Sequence, residues 1–202
     1  MAIREKDLTI FIKKMNNFIK TLLIKESVGR KRDQSVLDLC CGVGGDLDKW
    51  QKQNIAHYVG SDLSDNSVIE AHKRHKEMCN RAYSYEGPRQ SQQAFSAIFI
   101  VSDASNCDSG SIDSILNEEQ KRMHIREKIV FDVVSTQFAI HYMFESEQKL
   151  KGYLTNVTKR LVEGGSFIGT TIDSDRLVHK IREAGSANNL TIGNEYYSIV
   201  FG

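Results

Sequence analysis

The 202-residue sequence lacks several features that identify particular classes of protein. Its net charge is only +1, so no global attraction to nucleic acid is expected, and an anion site would need a local patch. Its longest apolar runs, such as residues 94–101, are too short to span a membrane. Charged residues from Arg4 to Asp7 interrupt any apolar segment of a signal peptide. These absences, with 40% apolar and 26% charged residues, indicate an ordinary globular protein, long enough for one domain and short for two.

Cysteine is scarce and poorly placed for metal or disulfide chemistry. The four cysteines, among them the adjacent Cys40 and Cys41, form no CxxC pair, and their spacings fit no zinc template. Neighbouring cysteines rarely bridge each other. We therefore expect reduced thiols in an intracellular protein and no metal site.

Proline is represented by Pro88 alone, so helices can run unbroken along most of the chain. Helical periodicity alternates with short apolar segments. The predicted strands cover residues 35–40, 55–62, 94–103, 128–137, 165–172 and 196–201, and the predicted helices cover residues 7–24, 46–53, 66–81, 113–123, 145–161 and 174–183. Because most of the strands are apolar on both faces, the pattern predicts an α/β fold with a mostly parallel sheet and helices on both sides.

The first predicted strand leads into a glycine-rich turn, Cys41-Gly42-Val43-Gly44-Gly45-Asp46. Glycine allows a tight turn and lets a ligand approach the backbone. The turn is not a Walker A loop, because no GK[ST] follows, and it is not GxGxxG, because Leu47 stands at the third glycine position. On its own the turn is a weak signal, since an ordinary tight strand-to-helix turn has the same composition.

Polar residues also end the next three predicted strands, at Asp62, Asp103 and Gln137. Ligands of such sheets bind outside the carboxyl ends of the strands. Asp62 could accept hydrogen bonds from ribose hydroxyls, and Asp103 could accept one from the exocyclic amine of an adenine. Helix capping is the alternative for both, although Asp65 is a better cap than Asp62 for the helix that follows. Together the four strand ends favour a nucleoside ligand without a pyrophosphate seat, so S-adenosylmethionine fits better than NAD.

Several linked segments resemble the eukaryotic mRNA cap guanine-N7 methyltransferase family. They are NNFIKTLLI (Asn16–Ile24), VLDLCCGVGGDLDKW (Val36–Trp50), SDLSDNSV (Ser61–Val68), QFAIHYMFES (Gln137–Ser146) and GGSFIGTTIDS (Gly164–Ser174). The resemblance covers nearly the whole chain and implies a Rossmann-like class I methyltransferase fold. It implies a single domain over residues 1–202, in which residues 1–30 form an N-terminal helix contributing to the donor and cap sites and residues 31–202 form the α/β core.

The same resemblance implies two sets of site residues. Those binding the methyl donor S-adenosylmethionine would be Lys20, Cys40, Gly42, Asp46, Asp62, Asp103, Gln137 and Tyr142. Those facing the capped RNA would be Asn16, Asn17, Lys49, Arg74 and His141. Lys20 would reach the methionine carboxylate of the donor, and Lys49 and Arg74 would suit the phosphates of the cap.

The activity implied is methyl transfer from S-adenosylmethionine to N7 of the 5′ GpppN cap of RNA, with S-adenosylhomocysteine as product. Guanine N7 has an available lone pair, so we expect catalysis by positioning, with His141 and Tyr142 shaping the pockets and no residue acting as acid or base. The resemblance also implies a nuclear location and capped RNA as partner, with other capping-enzyme components or an activating subunit as further candidates. Neither a membrane nor DNA is expected as a partner.

Each assignment has a structural alternative. Lys20 and Lys49 could be solvated helix residues, and Asn16 and Asn17 could be amides on a helix surface. His141 and Tyr142 could pack as a pair in the core.

The sequence departs from the family pattern at three places and in length. Cys40 stands where the family has Gly or Ala, which fits if its φ is negative. Val43 replaces a lysine that would contact the cap phosphates, and Ile172 replaces a proline near the guanine. The family normally continues well past residues 193–201, so we expect the C-terminal part of the sheet to be missing, an exposed sheet edge and weakened cap affinity. Donor binding should survive better than turnover.

Three other functions remain as alternatives to cap methylation. A non-catalytic donor-binding or partner-binding domain that needs a second chain is favoured by Val43, Ile172 and the short C-terminus. A small-molecule methyltransferase explains the cap-specific segments poorly, and an NAD reductase lacks GxGxxG.

Overall fold

The computed structural model of the chain describes residues 2–83, 94–106, 130–184, 191–194 and 197–200. Two compact units make up the chain: one contains Met1–Asn17 and Thr171–Gly202, and the larger one contains Phe18–Thr170. The predicted helix at residues 113–123 lies outside the described residues.

A parallel five-stranded sheet forms the centre of the larger unit. Its strands are β1 (Ser35–Leu39), β2 (His57–Asp62), β3 (Ser96–Val101), β4 (Phe131–Gln137) and β5 (Leu161–Thr170), arranged in the order β3-β2-β1-β4-β5. All four neighbouring pairs are parallel, which confirms the predicted α/β fold. The order reverses between β1 and β4, so the carboxyl ends of these strands mark the expected ligand position.

The described residues also form six helical segments. They are α1 (Ala2–Val28), α2 (Leu47–Gln51), α3 (Asp65–Tyr83), a 3₁₀ helix (Ile140–Glu145), α4 (Glu147–Arg160) and α5 (Ser174–Ala184). The 3₁₀ helix was not predicted. It ends at Glu145, and the next residue, Ser146, is the N-cap of α4, because its hydroxyl accepts a hydrogen bond from the amide of Lys149. No helix in the described ranges is long and apolar enough to cross a lipid bilayer.

Strand β5 starts four residues before its predicted start at residue 165, for a local reason. Gly164 adopts a φ of 73°, and the pairing with β4 shifts register between Phe131 and Val133, so the strand continues through an irregularity. Glu163-Gly164 separates the predicted helix from the predicted strand, because the adjacent glycines Gly164 and Gly165 are typical of a turn. In the structure these residues lie inside β5. Within the described part of this sheet, β3 and β5 form the two edges.

The core of the larger unit lies on both faces of the sheet. Leu37 and Leu39 of β1 pack on one face in a cluster with Tyr153 of α4. Val36 packs on the other face in a cluster with Trp50 of α2. Because alternate residues of a strand point to opposite faces, a strand that is apolar throughout needs cover on both sides, which these helices provide.

The smaller unit contains a two-stranded antiparallel hairpin. Its strands are β6 (Thr191–Asn194), which was not predicted, and β7 (Tyr197–Val200), within the predicted strand at residues 196–201. Helix α5 packs against β6, and Ile192 is buried.

Candidate active site

A cleft of about 480 Å³ lies at the carboxyl ends of the strands in the larger unit. Five residues predicted to bind the donor line it, namely Cys40, Asp62, Asp103, Gln137 and Tyr142. Cys40 and Asp103 come shortly after β1 and β3, and Asp62 and Gln137 are the last residues of β2 and β4. Tyr142 lies on the 3₁₀ helix, so five separate segments of the sequence meet at one place. The volume is within the usual range for small-molecule and cofactor sites.

The turn after β1 owes its shape to two glycines. Gly42 and Gly44 have φ values of 54° and 74°, in the left-handed region that favours glycine. A Cβ on Gly44 would lie 2.6 Å from a side-chain carbon of Leu47 and 3.2 Å from Ala71 of α3, whereas one on Gly42 would meet nothing within 4 Å. Gly44 therefore permits close packing of the turn, and Gly42 leaves its backbone open to a ligand.

Cys40 also has a left-handed backbone, with a φ of 62°, so the condition of a negative φ, under which cysteine would fit this position without strain, is not met. This conformation costs a non-glycine residue about 1–2 kcal/mol and persists only where the surroundings impose it. The surroundings do so here, because Cys40 directly follows β1 and packs against the buried cluster on one face of the sheet. The next amide, of Cys41, is fixed by a 2.9 Å hydrogen bond to the carbonyl of Ser61.

The two adjacent thiols are poor nucleophiles. Burial, followed by the nearby carboxylates of Asp62, Asp38 and Asp103, raises the pKa of Cys40 to about 12. Burial likewise raises the pKa of Cys41 well above its ordinary value. Both side chains are therefore protonated thiols at neutral pH, without the thiolate that covalent or metal chemistry requires.

Asp62 joins the ends of β1 and β2. Its Oδ2 accepts a hydrogen bond of 2.8 Å from the amide of Gly42, and its Oδ1 accepts one of 3.0 Å from the amide of Ser64. An ionised carboxylate can accept about four hydrogen bonds, so capacity remains for ligand hydroxyls. The hydroxyl of Ser64 accepts a bond from the amide of Ser67 at the start of α3, so Ser64 is the cap and the expectation for Asp65 is wrong.

Asp103 and Gln137 are held by neighbouring polar groups. Oδ1 of Asp103 accepts hydrogen bonds from the amide and the hydroxyl of Ser105, at 2.8 and 2.7 Å. The amide of Gln137 donates to Ser135 and accepts from the hydroxyl of Thr170 on β5, both at 3.2 Å. These bonds fix both side chains at the edge of the cleft.

Lys20, Asp46 and Lys49 form a cluster next to the glycine turn. Oδ1 of Asp46 lies 2.8 Å from the ammonium nitrogens of both lysines, whose side chains are 15% and 13% exposed. Lys49 also donates to the carbonyl of Gly45 at 3.3 Å. The alternative of solvated helix lysines is therefore wrong for both, and a predicted donor residue shares a carboxylate with a predicted cap residue.

Asp38 is a buried acid behind this cluster that the sequence analysis did not assign to the site. Its Oδ2 accepts a 2.9 Å hydrogen bond from the hydroxyl of Tyr58. Burial, followed by the charge of Asp46, raises the pKa of Asp38 to about 7, against the opposing effects of Tyr58, Ser135 and Lys20. A charged residue inside an apolar strand was the sequence signal that could have indicated it.

His141 and Tyr142 lie on the 3₁₀ helix with ring centroids 4.3 Å apart. Tyr142 is 67% exposed, so the alternative of a pair packed in the core is wrong. Nδ1 of His141 is buried and has no hydrogen-bond partner among the described residues. A buried ring nitrogen without a partner is unfavourable, and His141 is not among the residues that line the cleft.

The remaining predicted cap residues lie elsewhere. Arg74 is exposed on α3, with its Nε 3.0 Å from a carboxylate oxygen of Glu70, and it does not line the cleft. Asn16 is half-buried and Asn17 is exposed on α1, in the smaller unit.

Several cleft residues were not predicted. Leu63 and Phe138 are apolar residues that line the cleft while being 72% and 40% exposed. Each directly follows a predicted donor residue, Asp62 or Gln137, and this adjacency was the available signal. Other unpredicted lining residues are Ser102, Ala104, Ser105, Ala139, Met143, Glu145 and Lys149.

Comparison with known proteins agrees with this architecture. Over 93% of this chain and 65% of the other, it is similar to the structure of an S-adenosylmethionine-dependent methyltransferase from Clostridium acetobutylicum, with 16% identity and a TM-score of 0.55. Over 92% and 75%, it is similar to a Pyrococcus horikoshii protein, with 20% identity and a TM-score of 0.54. The fold is thus the Rossmann-like class I methyltransferase fold.

Curated relatives are more similar in sequence. The chain is 38% identical to the mRNA cap guanine-N(7) methyltransferase of Schizosaccharomyces pombe over 95% of its own length, and 37% identical to mRNA cap guanine-N(7) methyltransferase 1 of Arabidopsis thaliana over 98%. It covers 47% and 48% of those two proteins, so it spans about half their length. A family profile described as the mRNA (guanine-N(7))-methyltransferase domain matches residues 1–202. The chain therefore belongs to the mRNA (guanine-N(7))-methyltransferase domain family.

Proposed function

We propose that the chain transfers a methyl group from S-adenosylmethionine to N7 of the guanine in the 5′ GpppN cap of RNA. The observation that carries the proposal is the convergence of Cys40, Asp62, Asp103, Gln137 and Tyr142 on one cleft, in a chain of this family. S-adenosylhomocysteine would be the second product.

The residues of the cleft fit the donor. Oδ2 of Asp103 and the unused acceptor capacity of Asp62 suit an adenine amine and ribose hydroxyls. The apolar side chains of Leu63 and Phe138 suit the faces of a purine ring. Lys20, whose ammonium is held at Asp46, would bind the carboxylate of the methionine part. When bound, S-adenosylmethionine supplies an electrophilic sulfonium methyl group.

The cap-binding part of the proposal rests on fewer contacts. His141, beside Tyr142 on the 3₁₀ helix, would face the guanine, and the ammonium of Lys49 would face the phosphates. We assign Asn16, Asn17 and Arg74 to capped RNA on the family resemblance alone. Val43 is 40% exposed on the glycine turn and offers no charge to the phosphates.

These residues would act by orientation. The N7 lone pair of guanine needs no general base, and the raised pKa values of Cys40 and Cys41 argue against a thiolate nucleophile. Holding the acceptor and the donor in line and excluding water can supply up to about 7–11 kcal/mol of barrier reduction. His141 and Tyr142 would shape the two pockets without transferring a proton.

A non-catalytic donor-binding domain is the second candidate. The apolar side chain of Val43, 40% exposed on the glycine turn, favours it because it offers no charge to the cap phosphates. If the chain acts as a cap methyltransferase, a nuclear location and interaction with capped RNA follow from the chemistry of mRNA capping, and both belong to the proposal.

Methyl transfer from labelled S-adenosylmethionine to GpppG-capped RNA tests this function, with uncapped RNA of the same sequence as the control. We expect cap-dependent incorporation that falls at least tenfold in Asp62→Asn and stays unchanged in the matched variant Asp65→Asn. Donor binding by calorimetry without any transfer would support the non-catalytic alternative. Equal incorporation into capped and uncapped RNA would contradict both.

A further inference from the structure

The side-chain amide of Asn156 on α4 is completely buried and fully hydrogen-bonded. It is 1% exposed, and its Nδ2 donates to the carbonyls of Ala104 and Asn106, at 2.7 and 2.9 Å. Its Oδ1 accepts a 2.7 Å hydrogen bond from the guanidinium of Arg160, which is 4% exposed. The two N–H groups thus bind residues 52 and 50 positions away in the sequence, and the amide oxygen binds Arg160, 4 positions away on the same helix.

The two carbonyls bound by Asn156 belong to the turn that follows β3. Inside this turn, Asp103 accepts hydrogen bonds from the amide and hydroxyl of Ser105, and its carbonyl accepts one of 3.1 Å from the amide of Asn106. Ala104, in the middle of the turn, is 4% exposed and packs in the core. Asn156 therefore binds the backbone of the turn from the core of the protein. Asp103, which lines the cleft, binds Ser105 within the same turn.

The charge of Arg160 strengthens this anchor. A hydrogen bond from a cation to the amide oxygen polarises the amide, so its N–H groups become better donors. Because Asn156 and Ala104 are buried, losing the amide donor would remove the 2.7 Å hydrogen bond to the carbonyl of Ala104 at a place removed from water, which is unfavourable. The conformation of the turn should therefore depend strongly on this one side chain.

The same turn forms a wall of the cleft, through Asp103, Ala104 and Ser105. Asn156 does not line the cleft and cannot touch a ligand there, so any effect on the ligand must pass through the turn. We propose that Asn156 is a positioning residue that sets the selectivity of the cleft for adenine by holding Asp103 in place. This inference rests on the proposed function, because it takes the cleft to be the donor site.

Calorimetry with two forms of the product tests the inference. One is S-adenosylhomocysteine, and the other is S-inosylhomocysteine, in which a carbonyl replaces the exocyclic amine of the base. An oriented Asp103 accepts a hydrogen bond from the amine and repels the carbonyl, so the wild-type chain should prefer the adenosyl form by roughly tenfold or more.

Asn156→Asp is the informative variant. It keeps an acceptor for Arg160 but replaces the two donors by an oxygen facing the carbonyls of Ala104 and Asn106, which should release the turn. We expect the preference for the adenosyl form to fall below about threefold, with the affinity for the inosyl form nearly unchanged. Thr158→Val, an exposed substitution on the same helix, should keep the wild-type preference and is the control.

Two further comparisons make the outcome decisive. If Asn156→Asp does not fold, Asn156→Ala leaves room for a water to satisfy the carbonyls, and the preference should still fall, by about twofold to threefold. Adding Asn156→Asp to Asp103→Asn should change the preference no further, because both act on one contact. An unchanged preference in a folded Asn156 variant would overturn this inference alone, whereas a wild-type chain that binds neither compound would overturn the donor site itself.

Discussion

The ammonium nitrogen of Lys20 lies 2.8 Å from Oδ1 and 2.9 Å from Oδ2 of Asp46, in a contact largely removed from solvent. This ion pair connects α1 with the turn after β1, and Lys49 of α2 meets the same carboxylate. One acid therefore holds two cations that the family resemblance assigns to two different ligands. Its removal should affect both the fold and the site.

We predict that Asp46→Asn lowers the free energy of unfolding by about 1–3 kcal/mol, because two partly buried ammonium groups lose their counter-charge. Binding of S-adenosylhomocysteine should weaken by roughly tenfold or more. Urea unfolding and calorimetry measure the two effects. The matched control is Asp48→Asn, whose carboxylate is 69% exposed and 3.6 Å from Arg81. Equal effects of the two substitutions would contradict the role of Asp46.

Asp38 should make the free energy of unfolding decrease as pH rises, whereas an ordinary ion-paired acid makes it increase. Its pKa is about 7 in the folded chain, above the usual value of 3.8, so between these values the folded state binds more protons than the unfolded state. The contribution of Asp38 to stability therefore declines as pH rises from about 4 to about 7. Asp38→Asn should remove this decline in urea unfolding measured across that pH range. If the free energies of unfolding of the wild-type chain and of Asp38→Asn change in parallel across this pH range, the raised pKa of Asp38 is contradicted.

Tyr58 offers a companion test of the same linkage. Its hydroxyl donates to Asp38 and lowers the pKa of that acid, against the larger effect of burial. Tyr58→Phe should therefore raise the pKa of Asp38 further and extend the pH-dependent loss of stability above pH 7. If the pH-dependent loss of stability in Tyr58→Phe moves to lower pH, the stabilising hydrogen bond from Tyr58 to the ionised Asp38 is contradicted.

The exposed side chain of Val43 identifies a position where charge can be added. Val43→Lys should strengthen binding of GpppG by about threefold to tenfold at low salt, with an effect that shrinks as salt rises. Binding of S-adenosylhomocysteine should stay the same. Val43→Met adds length without charge and is the control, measured by calorimetry at two salt concentrations. A gain that is equal for lysine and methionine would show that contact area, and not charge, is responsible.

Gly44 and Gly42 should respond differently to an added methyl group. Gly44→Ala combines a left-handed backbone with a contact of 2.6 Å to Leu47, so we predict a loss of roughly 2–5 kcal/mol in the free energy of unfolding. Gly42→Ala has the backbone cost alone, about 1–2 kcal/mol, because its Cβ enters open space. Thermal and urea unfolding of both variants check the order, and the reverse order would refute the packing role of Gly44.

The sheet was predictable because its determinants are local. Val36, Leu37 and Leu39 place apolar side chains on both faces of β1, with Asp38 as the one exception, and this pattern favours helices on both sides of a parallel sheet. The polar residues at the strand ends, Asp62, Asp103 and Gln137, follow from the same rule and meet in one cleft as expected.

Other features depend on contacts that no short segment specifies. The left-handed φ of Cys40 results from the packing of the turn, and cysteine gives no local signal for it. The shared carboxylate of Lys20 and Lys49 brings α1 to α2, and Asn156 acquires its role only where α4 meets the turn after β3. Such residues become visible only when the distances between elements are known.

Mass spectrometry of caps released by nuclease tests the proposed activity most directly, since it identifies the atom that has been methylated. The capped RNA would be incubated with the 202-residue chain and S-adenosylmethionine, with Asp62→Asn as the impaired control. We predict 7-methylguanosine in the released cap from the wild-type chain and at least tenfold less of it from Asp62→Asn. A methyl group found on a ribose or on an internal base, or its absence despite measured donor binding, would contradict guanine-N7 methylation by this chain.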